Sequence, residues 1–311
     1  MNDLSPLTLP TASWNPVLGC MPVSKGCEQC RAVRYARRFA AHNQRYEGLT
    51  RVTVPGLAWK GGVRPAPQDL DKPTRWLVPR TIAVNPLGDL FHEAVPLRVL
   101  AMVFMVIAAT PQHTYWLGTR RPERIPEFLD WLSIWHPALY RTWPPPNLWL
   151  GLCIEDQLTY DQGLPLLLAT PAWGRFIYLN PLLGPINLHS LPQSSPTKKP
   201  GEDGANYAYQ PHLNCVLAHG ERGPHAHPIH PAWVKDLRTQ CEQLRVAFHF
   251  RGWGAWVPEE FVTYPQHYPA CTISPDGEVK AGIVLPGTVL RQTGIRLPAT
   301  PKRGRRRAVA E

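Results

Sequence analysis

Seven short apolar runs recur along the chain, each continuous rather than alternating with polar residues. They occupy 12–18, 81–84, 114–117, 148–154, 175–179, 214–218 and 246–250. A strand with one wet face alternates. A strand that is apolar throughout must be covered on both faces, as in parallel sheets flanked by helices. Helical stretches separate several of these runs: 28–43, rich in Ala and Arg; 97–109, apolar with Arg98 at its start; 122–135, opening on Pro-Glu; 158–169; and 231–244, again opening on Pro. Proline suits the first helical turn because its missing N–H would have no partner there anyway. Repeated strand–helix alternation predicts an α/β fold of about six to seven parallel strands, wound as a barrel or partial barrel.

The pattern covers residues 11–256. Residues 1–10 read as an N-terminal arm. Residues 190–211 hold no large aliphatic residue after Leu191 and read as a mobile surface insertion. Residues 257–300 read as an irregular C-terminal extension, and 301–311 as a basic tail. At 311 residues and 44% hydrophobic content, the chain can bury a core without disulfides, and wholesale disorder is excluded. The apolar stretch 99–110 stops at Pro111, well short of the roughly 20 residues that span a bilayer. The opening MNDLSPLTLP lacks the basic start and apolar centre of a secretory signal, so a cytoplasmic location and no membrane partner are expected. Net charge is +10, and the last eleven residues carry five basic side chains against one acid. A polyanionic partner is expected, nucleic acid first.

Of seven cysteines, three cluster as Cys20, Cys27 and Cys30, in the loop after the first strand and before a helix. An odd count without a secretory signal argues against a disulfide framework. Three thiolates suit a four-iron cluster that keeps one iron open, and a helix start beside them favours their negative charge. Zinc is the competing ligand; a structural site needs a fourth donor, for which His42 is the nearest candidate. Three unrelated thiols remain the third reading. Cys153 and Cys215 lie within apolar runs and read as buried small hydrophobes.

In barrels of this kind chemistry sits at the C-terminal ends of the strands. Those ends carry Asn15; Asn85 with Asp89, His92 and Glu93; Thr119 with Arg120 and Arg121; Glu155 and Asp156; Asn180; His219 and Glu221; and Arg251 and Trp253. Glu155, at a strand end, reads either as a holder of ribose hydroxyls or as a generic surface acid, and Asn85 and Asp89 follow the second strand, where a ligand's amino group would be met. Arg120, Arg121 and Arg124 form a cluster suited to phosphate or carboxylate. Trp253 and Trp256 are candidates for base stacking. His225, His227 and His230 read as a proline-rich turn before the helix at Pro231 rather than as a metal site.

SWNPVLGCMPVSKGCEQC (13–30) resembles the opening of a phage-associated three-cysteine-motif family, radical-SAM-like and long catalogued as a domain of unknown function. The likeness continues through NPLGDLFHE (85–93), PQHTYWLGTRRPER (111–124), PNLWLGLCIED (146–156), LNPLLGPI (179–186), HGERGPHAHPIHPAW (219–233) and FRGWGAW (250–256). This resemblance implies a partial (β/α) barrel of the radical SAM type. It implies a [4Fe-4S] cluster on Cys20, Cys27 and Cys30, and S-adenosyl-L-methionine bound among Asn85, Asp89, Thr119, Glu155 and Glu221. It also implies a one-electron reductant such as flavodoxin or ferredoxin, and DNA or a modified nucleotide as substrate. Some phage enzymes of this type act in thymidine hypermodification, so an isomerase or other radical base-modifying activity, in a host cytoplasm, is the narrowest expectation. The chain departs from the family pattern at Arg31, commonly Tyr, at Asn180, commonly Glu, and in HGERGP, commonly GGESGP.

Overall fold

The computed structural model describes residues 8–54, 56–190, 212–223 and 225–258, together with the short strands Ala270–Ile273, Val279–Ala281 and Val289–Gln292. Seven strands form the central sheet: β1 (Ala12–Trp14), β2 (Thr81–Val84), β3 (Thr114–Thr119), β4 (Leu148–Ile154), β5 (Gly174–Leu179), β6 (Cys215–Ala218) and β7 (Ala247–Phe250). They lie side by side in sequence order and every pairing is parallel. The sheet is open, with β1 and β7 as its edges, so the fold is a wound α/β sheet that does not close into a barrel.

The expected two-sided burial is explicit. Tyr115 and Leu117 of β3, Leu150 and Leu152 of β4, and Ile177 and Leu179 of β5 belong to the large core with α2 (Leu97–Ala109), α3 (Arg124–Trp135) and α4 (Gln157–Ala169). The alternate residues Trp116, Phe176, Cys215 and Leu217 form a second cluster on the other face. Trp116 and Trp149, in register on β3 and β4, stack at 4.9 Å with their planes 4° apart. Their neighbours in the next layer are glycines, also in register: a Cβ on Gly151 would lie 2.5 Å from the Phe176 ring, so the small residues make the slot that Phe176 fills. Local signals set the helix ends. Asp156 caps α4 by accepting from the Thr159 amide, while the Thr159 hydroxyl meets the Asp156 amide. The helix α5 (Pro231–Leu244) has Pro at its first position and ends on Arg245 in the left-handed region.

The crossover from β1 to β2 is the long one. It carries the cysteine loop, α1 (Arg31–Ala40) and two small antiparallel ribbons, Val17–Leu18 with Arg64–Pro65 and Thr50–Val52 with Leu57–Trp59. Beyond β7, the strands Trp256–Pro258, Ala270–Ile273, Val279–Ala281 and Val289–Gln292 pair antiparallel in one sheet, which needs no crossover helices. The insertion read at 190–211, the tail at 301–311 and most of the N-terminal arm lie outside the described residues. Among the described residues, no helix is long and apolar enough to cross a membrane.

Candidate functional site

All seven parallel strands deliver their C-terminal ends to one edge of the sheet, and a cavity of about 310 Å³ opens there. Cys20, Cys27 and Cys30 line it, as do Asp89, Thr119 and Glu221. Six of the eight candidate ligand-binding residues thus share one wall-to-wall space, although they are spread over two hundred positions of sequence. Asn85 and Glu155 stand behind that wall rather than on it.

The thiol loop is held by its surroundings. Gly19 enters it at φ +92°, and a Cβ there would lie 2.1 Å from the Gly62 carbonyl oxygen, so only glycine fits. A short turn at Lys25–Cys27 follows, and Cys30 is the N-cap of α1. All three thiols are free and half-buried. Burial pushes the Cys20 thiol up to about 12; the Asp89 charge acts the same way and Arg121 opposes it. A cation is therefore needed to make Cys20 a thiolate, and a metal ion bound there would be one. Cys153, which reads from sequence as a core thiol, also lines the cavity; burial raises it to about 12, against the pull of Arg120.

Two successive arginines at the end of β3 tie the loop to the sheet. Arg120 donates to the Ser24 hydroxyl at 3.0 Å and to the Asn180 carbonyl at 2.8 Å, and it pairs with Glu155. Glu155 also accepts from the Gly26 amide at 3.3 Å. Burial alone would lower the Arg120 pKa, but Cys27, Glu155 and Cys153 beside it hold it above its ordinary value. Arg121 donates to the Met21 carbonyl at 3.2 Å, to Glu93 at 2.6 Å and to Asp89 at 3.2 Å. Asp89 is saturated besides: it accepts from the Thr119 hydroxyl at 2.7 Å and from the amides of Phe91 and Arg120 at 3.0 Å each.

These contacts reassign several residues. The carboxylate of Glu155 is engaged by Arg120 and the thiol loop, so its observed partners are protein groups. Arg120, Arg121 and Arg124 each meet a carboxylate, of Glu155, of Asp89 and Glu93, and of Glu127, so their charge is already balanced. Asn85, at φ 52°, accepts from the Val17 amide at 3.2 Å, while its buried side-chain N–H₂ group has no hydrogen-bond partner. Glu221 is 4% exposed and accepts from the His227 amide at 2.8 Å and ring Nδ1 at 2.7 Å. His230 caps α5. Trp253 packs edge-on against Phe250, and Trp256 donates to the Ala226 carbonyl; neither lines the cavity. Among the described residues, no three His, Cys, Asp or Glu side chains are already gathered as a metal-holding group.

Sequence reasoning missed Tyr178 and Tyr35 on the cavity wall, and Arg31, which stands out in sequence as a departure from the family pattern, lines it too. Tyr178 was findable: it alternates with Ile177 and Leu179 on β5 and must face the other side. His219 is more informative than its position implied. Burial pushes it down to about 4, so it is neutral near pH 7. Its Nδ1 lies 2.5 Å from the Gly220 carbonyl, which can only accept, so the proton sits on Nδ1 and Nε2 keeps its lone pair.

The set combines soft thiol donors, a neutral imidazole acceptor and balanced ion pairs around one cavity. Its donors fit an iron–sulfur centre chemically: three thiols of one loop share a cavity, with glycine admitting the tight turn before the first. No curated protein and no solved structure matches the chain. A family match extends over residues 5–294, nearly the whole sequence, and the chain belongs to that family, described as "Protein of unknown function (DUF5131)".

Proposed function

We propose that this protein is a radical S-adenosyl-L-methionine enzyme that modifies or isomerises a nucleobase adduct in DNA, in the manner of a thymidine-hypermodification step in a phage-infected cytoplasm. The observation that carries the reading is the meeting of Cys20, Cys27 and Cys30 with Asp89, Thr119 and Glu221 in one cavity at the strand ends. When bound, a [4Fe-4S] cluster with S-adenosyl-L-methionine supplies one-electron cleavage of the sulfonium and a 5′-deoxyadenosyl radical that takes hydrogen from the substrate.

The chain's own residues do the rest. Cys20, Cys27 and Cys30 hold the cluster. Arg120 and Arg121 hold the loop between the first two thiols at Ser24 and at Met21. Asp89, Thr119 and Glu221 would form the polar wall beside the S-adenosyl-L-methionine, with Asp89 and Glu221 held in place by Arg121 and His227. Glu155 belongs to the support of the loop, which replaces the ribose contact read from sequence. His219 offers a neutral acceptor at the cavity. A reductant such as flavodoxin or ferredoxin is the expected electron source.

A specific observation favours a second reading. Cys153 lines the same cavity, so four thiols are available for a closed structural zinc site in a nucleic-acid-binding module. Anaerobically reconstituted, reduced protein decides between them. The enzyme reading expects 5′-deoxyadenosine and methionine from S-adenosyl-L-methionine, with Cys153→Ser keeping its iron. The second reading expects zinc at about one per chain, held by four thiolates, no cleavage, and loss of the metal in Cys153→Ser.

A further inference from the structure

The arginines that read from sequence as an anion site are balanced by carboxylates, and other arginines take that place. Arg31 and Arg222 line the cavity on the side of Tyr35, Tyr178 and His219. Arg251 follows β7, and its amide donates to the Ala218 carbonyl at 2.8 Å, which sets it beside His219. Among the described residues, none of Arg31, Arg222 and Arg251 forms an ion pair with a carboxylate, whereas Arg45, Arg75, Arg120, Arg121, Arg124 and Arg238 all do. Their backbone is fixed: the Arg222 carbonyl accepts from Arg34 at 2.5 Å, and Gly220 donates to the Gly252 carbonyl at 2.9 Å. All three charges reach the same two groups, since burial raises Tyr178 and lowers His219, and Arg251, Arg31 and Arg222 pull both downward. Glu221, next to Arg222 in sequence, is occupied by His227.

We infer that Arg31, Arg222 and Arg251 form a phosphate-binding rim that seats the phosphate of a nucleotide, free or within a DNA strand, beside the cavity. Arg31 and Arg222 on the cavity wall, with Arg251 following β7 beside it, carry guanidinium charge that no carboxylate balances, and such groups bind an oxyanion by charge-assisted, often bidentate hydrogen bonds. The Tyr35 hydroxyl accepts from Arg31 at 2.6 Å and the Tyr35 ring centre lies 5.1 Å from the guanidinium, which holds that side chain along the first turn of α1. The inference deepens the nucleic-acid half of the proposed function and needs neither cluster nor radical chemistry.

The test is a titration of the full chain, without S-adenosyl-L-methionine or reductant. Its probes are thymidine, thymidine 5′-monophosphate and a single-stranded oligothymidylate lacking terminal phosphates. The monophosphate or the oligonucleotide should bind at least about tenfold more tightly than thymidine, the scale of one charge-assisted bond. Tightest binding of the monophosphate identifies a free nucleotide as the source; tightest binding of the oligonucleotide identifies the strand. Arg31→Gln, Arg222→Gln and Arg251→Gln should each weaken the preferred phosphate probe and lower its salt slope by about one, and Lys at the same position should restore the slope. Arg238→Gln, at an arginine paired with Glu242 on α5, should change nothing. Equal affinity for thymidine and both phosphate probes overturns the inference, as does an equal loss in Arg238→Gln. Failure of S-adenosyl-L-methionine cleavage with an intact phosphate preference would strike the enzyme reading alone.

Discussion

Arg121 is 3% exposed and serves Asp89, Glu93 and the Met21 carbonyl at once. Removing one partner of such a buried network leaves charge without compensation, which costs about 3–5 kcal/mol. Arg121→Ala should therefore lower stability on that scale in chemical denaturation and loosen the thiol loop, seen as faster alkylation of Cys20 in the apo protein. Unchanged alkylation would show that the loop is held by other contacts. His219 yields a pH prediction. The unfolded chain takes up this proton from about 6.5 downward, whereas the folded one holds out until about 4. The unfolded state binds more protons across that window, so stability falls as pH drops from 6.5 to 4 and levels off below. The share due to His219 is on the order of 3 kcal/mol, read as the difference between wild type and His219→Gln across that range. Parallel curves for the two proteins would mean that His219 is not held neutral by the fold.

At the scale of elements, the site depends on close approach between connections. Gly220, just after β6, lies so near the turn after β7 that a Cβ would sit 1.9 Å from the Trp253 carbonyl oxygen. Neither backbone can yield cheaply. Gly220→Ala should destabilise by about 2–4 kcal/mol, in the range of strongly disruptive single changes, and should displace Glu221 and Arg222 from the cavity. A Gly220→Ala chain with wild-type denaturation and phosphate binding would contradict this packing. The elements themselves were legible in sequence because the central strands are apolar on both faces and α4 and α5 begin on recognisable signals, Asp156 and Pro231. The polar strand ends were legible too, since the fold class dictates which end carries chemistry. What escaped was pairing. Nothing local shows that Glu155 meets Arg120 or that Asp89 meets Arg121, because these partners come from different crossovers. Cys153 read as core because its strand is apolar, although alternation beside Leu152 and Ile154 turns it toward the cavity. The expected partial barrel of about six to seven parallel strands matches the seven-stranded parallel sheet, and the gap between β1 and β7, which no local sequence encodes, leaves it open.

For the molecule as a whole, charge and chemistry converge on one end. The thiols, Asp89 with Arg120 and Arg121, and the unpaired Arg31 and Arg222 border the cavity at the strand ends, and the chain carries net charge +10. Lys302, Arg303, Arg305, Arg306 and Arg307 add a basic run in the tail. Deleting residues 301–311 should weaken DNA binding at low salt and reduce the salt slope by up to about five, one per lost phosphate contact. Identical salt dependence with and without the tail would remove it from the interface. The central claim is that Cys20, Cys27 and Cys30 hold an iron–sulfur cluster with one open iron. Its most direct measurement is iron and sulfide content after anaerobic reconstitution of wild type, Cys20→Ala and Cys241→Ala. The account predicts about four irons per chain in wild type and in Cys241→Ala, as a [4Fe-4S] centre requires, and loss of the cluster in Cys20→Ala. Full iron retention in Cys20→Ala, or zinc in place of iron in wild type, would contradict it.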